Sequence, residues 1–526
     1  MKLQTALGRS LGTSLALGVT AALLAGCGGS DGDSDPGGDG NGASQYADGG
    51  TFTMALKGDP GKLDPQSSAS SQLFTVNQLA YDNLLSVDAE SGEIESQLAT
   101  EWAVDGKTVT LTLADGITCA DGSEFTASTV ADNIAYVGDP KNKSAYLGVF
   151  LPAGATAKAD DAAGTVTLQL AQPAPFVLNG LASLPMVCDS GMKDRKSLAD
   201  STAGTGPYAL TEAVPGDHYT YEIRDGYTWG PNGATTDEEG MPDTVVMKIV
   251  ENEGTAANLL VAGDVNAAQV IGPDVKRLDA QGLFAAETPA LQGEQWYNHN
   301  DGHETSDAQV RMALTQALDL GELASVSTAD AGTPATTLAA IEPVSCPGDS
   351  VSGSLPAQDV DAAKAVLAGK EFTFLYSSAA GSAVAAAAEL AVQQWEAAGA
   401  EVTAKGVDET ALQGAIFGTG DWDISWVPLN VNSPDQLVPF LSGPGLADGG
   451  TNFSGIDNAD YAAGVEEASA LPGSEGCDAW LAAESALVAA ADIVPFANNL
   501  VKTFGNGAEF ETPGQLVPTS IRMLAQ

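Results

Sequence analysis

Two stretches of the chain alternate apolar and polar residues. In KTVTLTLADG (residues 107–116) Val109, Leu111 and Leu113 fall on one side, and in GTVTLQLAQP (164–173) Val166, Leu168 and Leu170 do the same. A period of two predicts strands with one buried face. Between them, DGSEFTASTVADNIAYV (121–137) reads as a turn followed by a helix with an apolar face. Strands dominate here, so an α+β unit is predicted. The second half changes rhythm: EFTFLYSS (371–378), EVTAKGV (401–407) and DWDISWV (421–427) are strand-like, with helical stretches at 382–397 and 409–417 between them. Strands alternating with helices predict a parallel sheet with right-handed crossovers. Upstream, TSDAQVRMALTQALDLG (305–321) predicts one helix. Ser306 and Gln309 form its capping box, and Val310, Ala313, Leu314, Ala317 and Leu318 form an apolar stripe ahead of Gly321. Two α/β-containing lobes of unlike composition follow, with function expected in the crevice between them.

The first residues follow another pattern. Lys2 and Arg9 precede an apolar run, 11–24, that is too short to span a bilayer. Small residues then stand just ahead of Cys27, as signal-peptide cleavage requires. Leu24-Ala25-Gly26-Cys27 resembles a bacterial lipobox, which implies that Cys27 carries lipid and begins the mature chain. Residues 28–49 are rich in glycine and aspartate, cannot bury enough surface to fold, and read as a tether. Asp31, Asp33 and Asp35 imitate a calcium loop without its glutamate at the twelfth position. Gly28-Gly29-Ser30-Asp31-Gly32 fits a hydrolase pattern but follows no strand.

A chain of 526 residues exceeds one ordinary core. Loss of residues 1–26 leaves 19 basic residues against 69 acidic ones, a net charge of −50. That balance argues against nucleic acid and against electrostatic adhesion to anionic lipid, both of which need cationic patches. With Cys27 assigned to lipid, Cys119, Cys188, Cys346 and Cys477 remain, and an even number in an exported protein predicts disulfides. Four cysteines allow three connectivities. Pairing Cys119 with Cys188 and Cys346 with Cys477 is favoured because each bond then stays within one proposed lobe.

Several phrases, in order, resemble the extracytoplasmic solute-binding proteins of peptide- and nickel-type ABC importers. They are KLDPQSSASSQLFTVNQLAYDNLLSVD (62–88), QLATEW (97–102), LADGITCADGSEFTASTVADNI (113–134), GTGPYAL (204–210), VRMALTQALD (310–319) and DWDISWV. The likeness covers nearly all of residues 50–526. It implies a two-lobe, periplasmic-binding-protein-like α/β fold of class II, three-domain cluster C type. The first lobe would span 50–287, with an inserted α+β unit at about 86–198. The second would span 288–494, and 495–526 would return to the first. The function implied is capture of a peptide or peptide-like solute and delivery to permease subunits, by a monomer without cofactor on the extracytoplasmic face of the membrane.

The resemblance also nominates residues for the cleft: Trp296, Tyr297, Asn298 and Asn300 near the lobe connection, and Trp422, Asp423, Trp426, Asn430 and Asn432 in and after DWDISWV. Aromatics offer flat contact area, and asparagines pair with peptide N–H and C=O groups. Trp422 and Trp426 would share one face of a strand. Ser70, Ser71 and Gln72 are expected to line the first-lobe wall. Many peptide-binding members place an aspartate soon after a tryptophan to hold a free α-amine. Here Asn430 and Asn432 stand in that stretch, which points to a blocked, cyclic or otherwise modified peptide-like ligand. In GTGPY, Gly204 and Gly206 are expected to adopt unusual backbone angles, with Pro207 setting a turn. His299 and His303 have a metal-like spacing, but Asn-Asp-Gly between them breaks the helix a metal pair needs. A metal chelate or haem as solute, a lipid-anchored sensor and a secreted hydrolase are the alternatives. No nucleophile–base constellation supports the last.

Overall fold

Alternation along residues 108–113 and 165–169 produces the inner strands of the smaller of the two main sheets. Val109, Leu111, Val166 and Leu168 are buried, while the threonines between them are partly exposed. In the computed structural model, which describes residues 45–525 except Ala69, Glu90, Glu342, Pro343 and Pro472, these strands form a four-stranded antiparallel sheet. Its order is Ala99–Asp105, Thr108–Leu113, Thr165–Gln169, Thr156–Asp160. The helix Ala127–Gly138 begins on a reciprocal cap between Thr126 and Thr129, and buries Val130, Ile134 and Val137 in the same core. A buried carboxylate ties this unit to the chain beyond it: Asp82 accepts from Gln97 Nε2 (3.0 Å), Thr205 Oγ1 (2.8 Å), Tyr227 Oη (2.8 Å) and Trp229 Nε1 (3.1 Å). A disulfide between Cys119 and Cys188 cross-links the core of this unit internally. The second disulfide joins Cys346 to Cys477.

The larger sheet has ten strands. In spatial order they are Glu401–Val407, Glu371–Ser377, Ile424–Trp426, Phe284–Tyr297, Ile493–Gly505, Ala267–Val270, Thr51–Leu56, Thr244–Ile249, His218–Ile223 and Tyr208–Val214. Glu371–Ser377 runs parallel to both its neighbours, as the strand–helix alternation of that region requires. Thr51–Leu56 is likewise parallel to Thr244–Ile249 and Ala267–Val270. The two long strands between these halves are antiparallel, from Phe284 opposite Gly505 to Trp296 opposite Ile493, with register shifts around Leu291, Gly293 and Glu294. Each half has its own apolar core. Phe52, Leu79, Tyr208, Tyr221 and Met247 share one with Phe510 and Ile521, whereas Leu314, Phe374, Trp395 and Trp426 share another. The molecule is thus a two-lobe α/β protein, and residues from its last segment, Phe510 and Ile521, pack in the core that contains Phe52 and Tyr208. Among the described residues, no helix is long and apolar enough to cross a membrane.

Two expectations change. The helix predicted over 305–321 is two helices, Ala308–Gln316 and Leu320–Ser327. Asp307, not Ser306, caps the first through Gln309 N (2.8 Å), and Ser306 Oγ instead donates to His303 O. Asp319 caps the second, because its carboxylate is the stronger acceptor available where the first helix ends. The predicted stripe is nevertheless buried in full. In GTGPY, neither Gly204 nor Gly206 has a left-handed backbone; a Cβ on Gly204 would lie 2.2 Å from Ala80 O, and one on Gly206 2.5 Å from Ala80 C. Close approach of two backbones, not backbone angle, requires glycine there. Gly206→Ala is therefore expected to cost ~1–3 kcal/mol by overpacking, read as a lowered urea midpoint; an unchanged midpoint would show that the segment yields freely.

Candidate functional site

Strand direction decides where a crevice forms. In open α/β sheets, ligands bind outside the carboxyl ends of parallel strands. Ala267–Val270 pairs with the second long strand from Ala267 opposite Gly505 to Val270 opposite Lys502, so its carboxyl end points toward the middle of that strand. Ile424–Trp426 pairs with the first long strand from Ile424 opposite Tyr297 to Trp426 opposite Gln295, and its carboxyl end points to the middle as well. The parallel strands of both lobes therefore end facing one another across the centre of the two long strands.

On the first lobe these ends carry Lys57, Glu253 and Gly272. Glu253 accepts from Ile271 N (3.1 Å) and Gly272 N (2.7 Å), and Lys57 Nζ lies 3.8 Å from its carboxylate. Burial lowers the Lys57 pKa, and the Glu253 charge works against that shift. The second lobe comes close: a Cβ on Gly381 would sit 3.6 Å from Glu253 Oε2, and one on Gly272 3.5 Å from Ser382 Oγ. Gln72 joins this wall, its Cγ 3.9 Å from where Gly58 would place a Cβ. Ser70 beside it caps the helix Ser71–Ala80 through Leu73 N (3.3 Å), while Ser71 is exposed and accepts from Gln72 Nε2 (3.3 Å).

The centre is polar and largely uncharged. Where the strand Ile424–Trp426 has ended, the Asn430 side chain takes over the open edge of the neighbouring strand, accepting from Leu291 N (2.7 Å) and donating to Leu291 O (3.2 Å). On the other edge Thr333 exchanges both backbone bonds with Asn498 (2.9 and 2.8 Å). Gly332 makes this possible, since a Cβ there would be 2.3 Å from Asn498 O. Asn499 Nδ2 donates to Gln292 Oε1 (3.4 Å). Glu294 is fully buried and accepts from Leu429 N (2.7 Å); burial pushes its carboxyl up to about 8, so it is mostly neutral at pH 7.

Of the residues nominated from sequence, Gln72 and Asn430 lie at this crevice, with Ser70 and Ser71 next to Gln72 at the start of its helix. Those near the lobe connection and in DWDISWV are placed elsewhere for a geometric reason. The long strand runs on past Leu291, so Asn298 lies about 20 Å farther along at roughly 3.3 Å per residue. Trp296 and Tyr297 are fully buried, the indole N–H donating to Val427 O (2.9 Å) and the phenol paired with Thr315 Oγ1 (2.8 Å). Asn298, Asn300, His303 and Asp423 form a network beyond the strand end: Asn300 Nδ2 donates to Asn298 Oδ1 (2.8 Å), and His303 Nδ1 lies 2.9 Å from Asp423 Oδ1. Trp422 precedes the strand rather than belonging to it, so it packs with Phe453 in one core while Trp426 packs with Phe374 and Phe496 in another. Trp426 Nε1 donates to Gln295 Oε1 (3.1 Å). Asn432 holds Ser345 N through its carbonyl (2.8 Å). The Asn432 side-chain oxygen and the Trp422 indole N–H are buried without a partner. His299 Nε2 lies 3.3 Å from Asp492 O, whereas His303 pairs with Asp423, and burial with the Arg311 charge lowers the His299 pKa to about 3. Among the described residues, no group of three or more His, Cys, Asp or Glu could hold a metal ion.

Lys57, Glu253, Gly272 and Ser382 were not singled out from sequence. Their signal was present: Lys57-Gly58-Asp59-Pro60 and Ile271-Gly272-Pro273 each follow a parallel strand directly, where crevice-lining loops belong.

Comparison with known proteins places residues 93–445 in the family described as "Bacterial extracellular solute-binding proteins, family 5 Middle". The glutathione-binding protein GsiB of Salmonella typhi is 27% identical over 284 residues, 52% of this chain and 53% of that protein. GsiB of Escherichia coli strain K12 is 27% identical over 332 residues, 61% and 59% of the two chains. The matches thus span only part of these relatives. Among solved structures, a substrate-binding protein from Microbacterium hydrocarbonoxydans complexed with 4-hydroxybenzoate hydrazide superposes with a TM-score of 0.81 at 27% identity, covering 90% of this chain and 99% of that one. The Escherichia coli murein tripeptide binding protein MppA shares the fold, with a TM-score of 0.77 at 19% identity over 92% and 100%.

Proposed function

Since the chain belongs to the family 5 bacterial extracellular solute-binding proteins, we propose that it captures a peptide-like solute between its lobes and presents it to the permease of an ABC importer. Lipid on Cys27, which lies outside the described residues, would hold it at the membrane and keep its effective concentration near the permease high. The observation that carries this reading is the convergence of both lobes' parallel-strand ends on one polar centre. Closure there buries a solute against a few placed polar groups.

The chemistry of the centre supports a particular kind of solute. The Asn430 amide is engaged with Leu291, and the nearby Glu294 carboxyl is kept neutral by burial. A free α-amine therefore meets no full negative charge at this wall, whereas neutral amide, hydrazide and hydroxyl groups can pair with Gln72, Gln292 and Asn499. The Lys57–Glu253 pair lies on the first-lobe wall with Gln72 and suits a solute carboxylate able to compete for the ammonium. Of the ligands named for the 27%-identical proteins, 4-hydroxybenzoate hydrazide is neutral and matches the amide groups, while glutathione carries carboxylates that suit Lys57 together with a free α-amine that finds no charged partner beside Asn430.

A thermal-shift screen of the mature chain tests this. Glutathione, free and blocked di- and tripeptides, and 4-hydroxybenzoate hydrazide are each added in excess. A true solute at ~100 times its Kd adds ~2.7 kcal/mol of stability, and Lys57→Met with Gln72→Ala should reduce that gain. No shift from any of these compounds would overturn the peptide-like assignment.

A further inference from the structure

The long strands are not the only connection between the lobes. Phe176 stands just ahead of the short helix Val177–Leu181 in the inserted unit. Its neighbours Ala174, Val177, Leu178 and Leu181 all pack into that unit's own core. Phe176 turns the other way. With 6% of its surface exposed, it packs in a separate cluster with Cys346, Ala468 and Trp480, bordered by Val438 and Cys477. Every one of these partners belongs to the second lobe. A nearby contact accompanies it: a Cβ on Gly148 of the inserted unit would lie 3.2 Å from Pro439 Cγ.

The receiving surface is held in place independently of Phe176. The disulfide ties Cys346, in a segment without regular structure, to the first residue of the helix Cys477–Ala489. Ser345 N donates to Asn432 O (2.8 Å), and the buried Glu484 carboxyl accepts from Ser350 Oγ (2.6 Å) and Leu338 N (3.3 Å), so the same segment is fastened on both sides of the cysteine. A socket made rigid in this way costs little entropy when a ring enters it.

We propose that Phe176 is a clasp: its insertion beside the Cys346–Cys477 disulfide holds the lobes together and governs how fast a captured solute is released. The link to release rests on the solute-binding reading above; the clasp between lobes does not. Burying one phenylalanine at a reversible contact shifts the closed-to-open ratio by about ten- to a hundredfold. Small-angle scattering of the unliganded mature protein, wild type against Phe176→Ser, should show a larger radius of gyration in the variant. Stopped-flow release of whichever screened compound stabilises the wild type should quicken by about tenfold or more, with association nearly unchanged. Phe176→Leu, which still fills the socket, should restore both. Phe176→Val is measured in parallel, being too short to reach the socket yet apolar, so misfolding of the serine variant does not decide the matter. Superimposable scattering curves for wild type, Val and Ser variants would overturn the clasp, whatever the solute. Failure of every compound to bind would remove the solute reading and leave the scattering result standing.

Discussion

Asp492→Ala should destabilise the second lobe by ~3–5 kcal/mol, because it strands a buried guanidinium. Arg311 is 6% exposed, and its Nη2 donates to Asp492 Oδ1 at 2.8 Å while Nη1 donates to Thr305 O and Ser306 O, each at 3.0 Å. The second carboxylate oxygen accepts from Asn458 Nδ2 (2.8 Å). Asp492 immediately precedes the long strand Ile493–Gly505, so this pair fixes the point at which that strand leaves the second lobe. Alanine would remove the only acidic partner the Arg311 side chain has among the described residues, and the charge could neither be solvated nor shed its proton at physiological pH. The double variant Arg311→Met, Asp492→Leu removes both charges and should recover most of the loss. Denaturant titration followed by tryptophan fluorescence checks both. A midpoint for Asp492→Ala equal to that of the wild type would mean that water or a rearranged neighbour compensates, contrary to the burial described.

Stability should also fall as pH rises from about 5 to about 8. Burial pushes the carboxyl of Glu294 up to about 8 and that of Glu484 up to about 7, and the proximity of the two acids adds to the Glu294 shift. Glu294 faces Leu429 N and the Trp296 indole; Glu484 faces Ser350 Oγ and Leu338 N. In the unfolded chain both groups ionise near pH 4. Below that pH both states hold their protons and the contribution is fully present. Between the unfolded and folded values the native protein retains protons that the unfolded chain has released, so the unfolding free energy declines with pH until the folded groups themselves ionise. The expected fall in Tm between pH 5 and pH 8 is on the order of 5 °C. Glu294→Gln keeps the shape, needs no proton, and should flatten much of the slope. An equally steep pH dependence in that variant would show that Glu294 is not the group responsible.

Both results concern features that the chain conceals in different ways. Val310, Ala313, Leu314, Ala317 and Leu318 form a stripe legible at helical spacing, and all are buried. Arg311 lies next to that stripe and looks like a solvated residue, because nothing local reveals an aspartate 181 positions away. Glu294 reads as one more surface acid in a chain with 69 acidic residues. Only its position on a strand covered from both sides makes it neutral. The same limit applies to the candidate site. Asn430 and Gln72, which lie at the crevice, were nominated because they sit near phrases with a family resemblance. Trp296, Tyr297 and Trp422 shared those phrases, yet the direction in which each strand runs carries them into cores.

By itself the sequence determined the local and periodic features: the alternating strands of the four-stranded sheet, the parallel strand–helix units of the second half, and an even set of cysteines. These follow from near-neighbour sterics and from the period at which side chains share a face. The tertiary structure alone decided which strand ends face each other, which acids lose contact with water, and that Phe176 leaves its own unit to pack beside the Cys346–Cys477 bond. Those outcomes depend on pairings across hundreds of residues, where register and direction, rather than residue type, set what meets what.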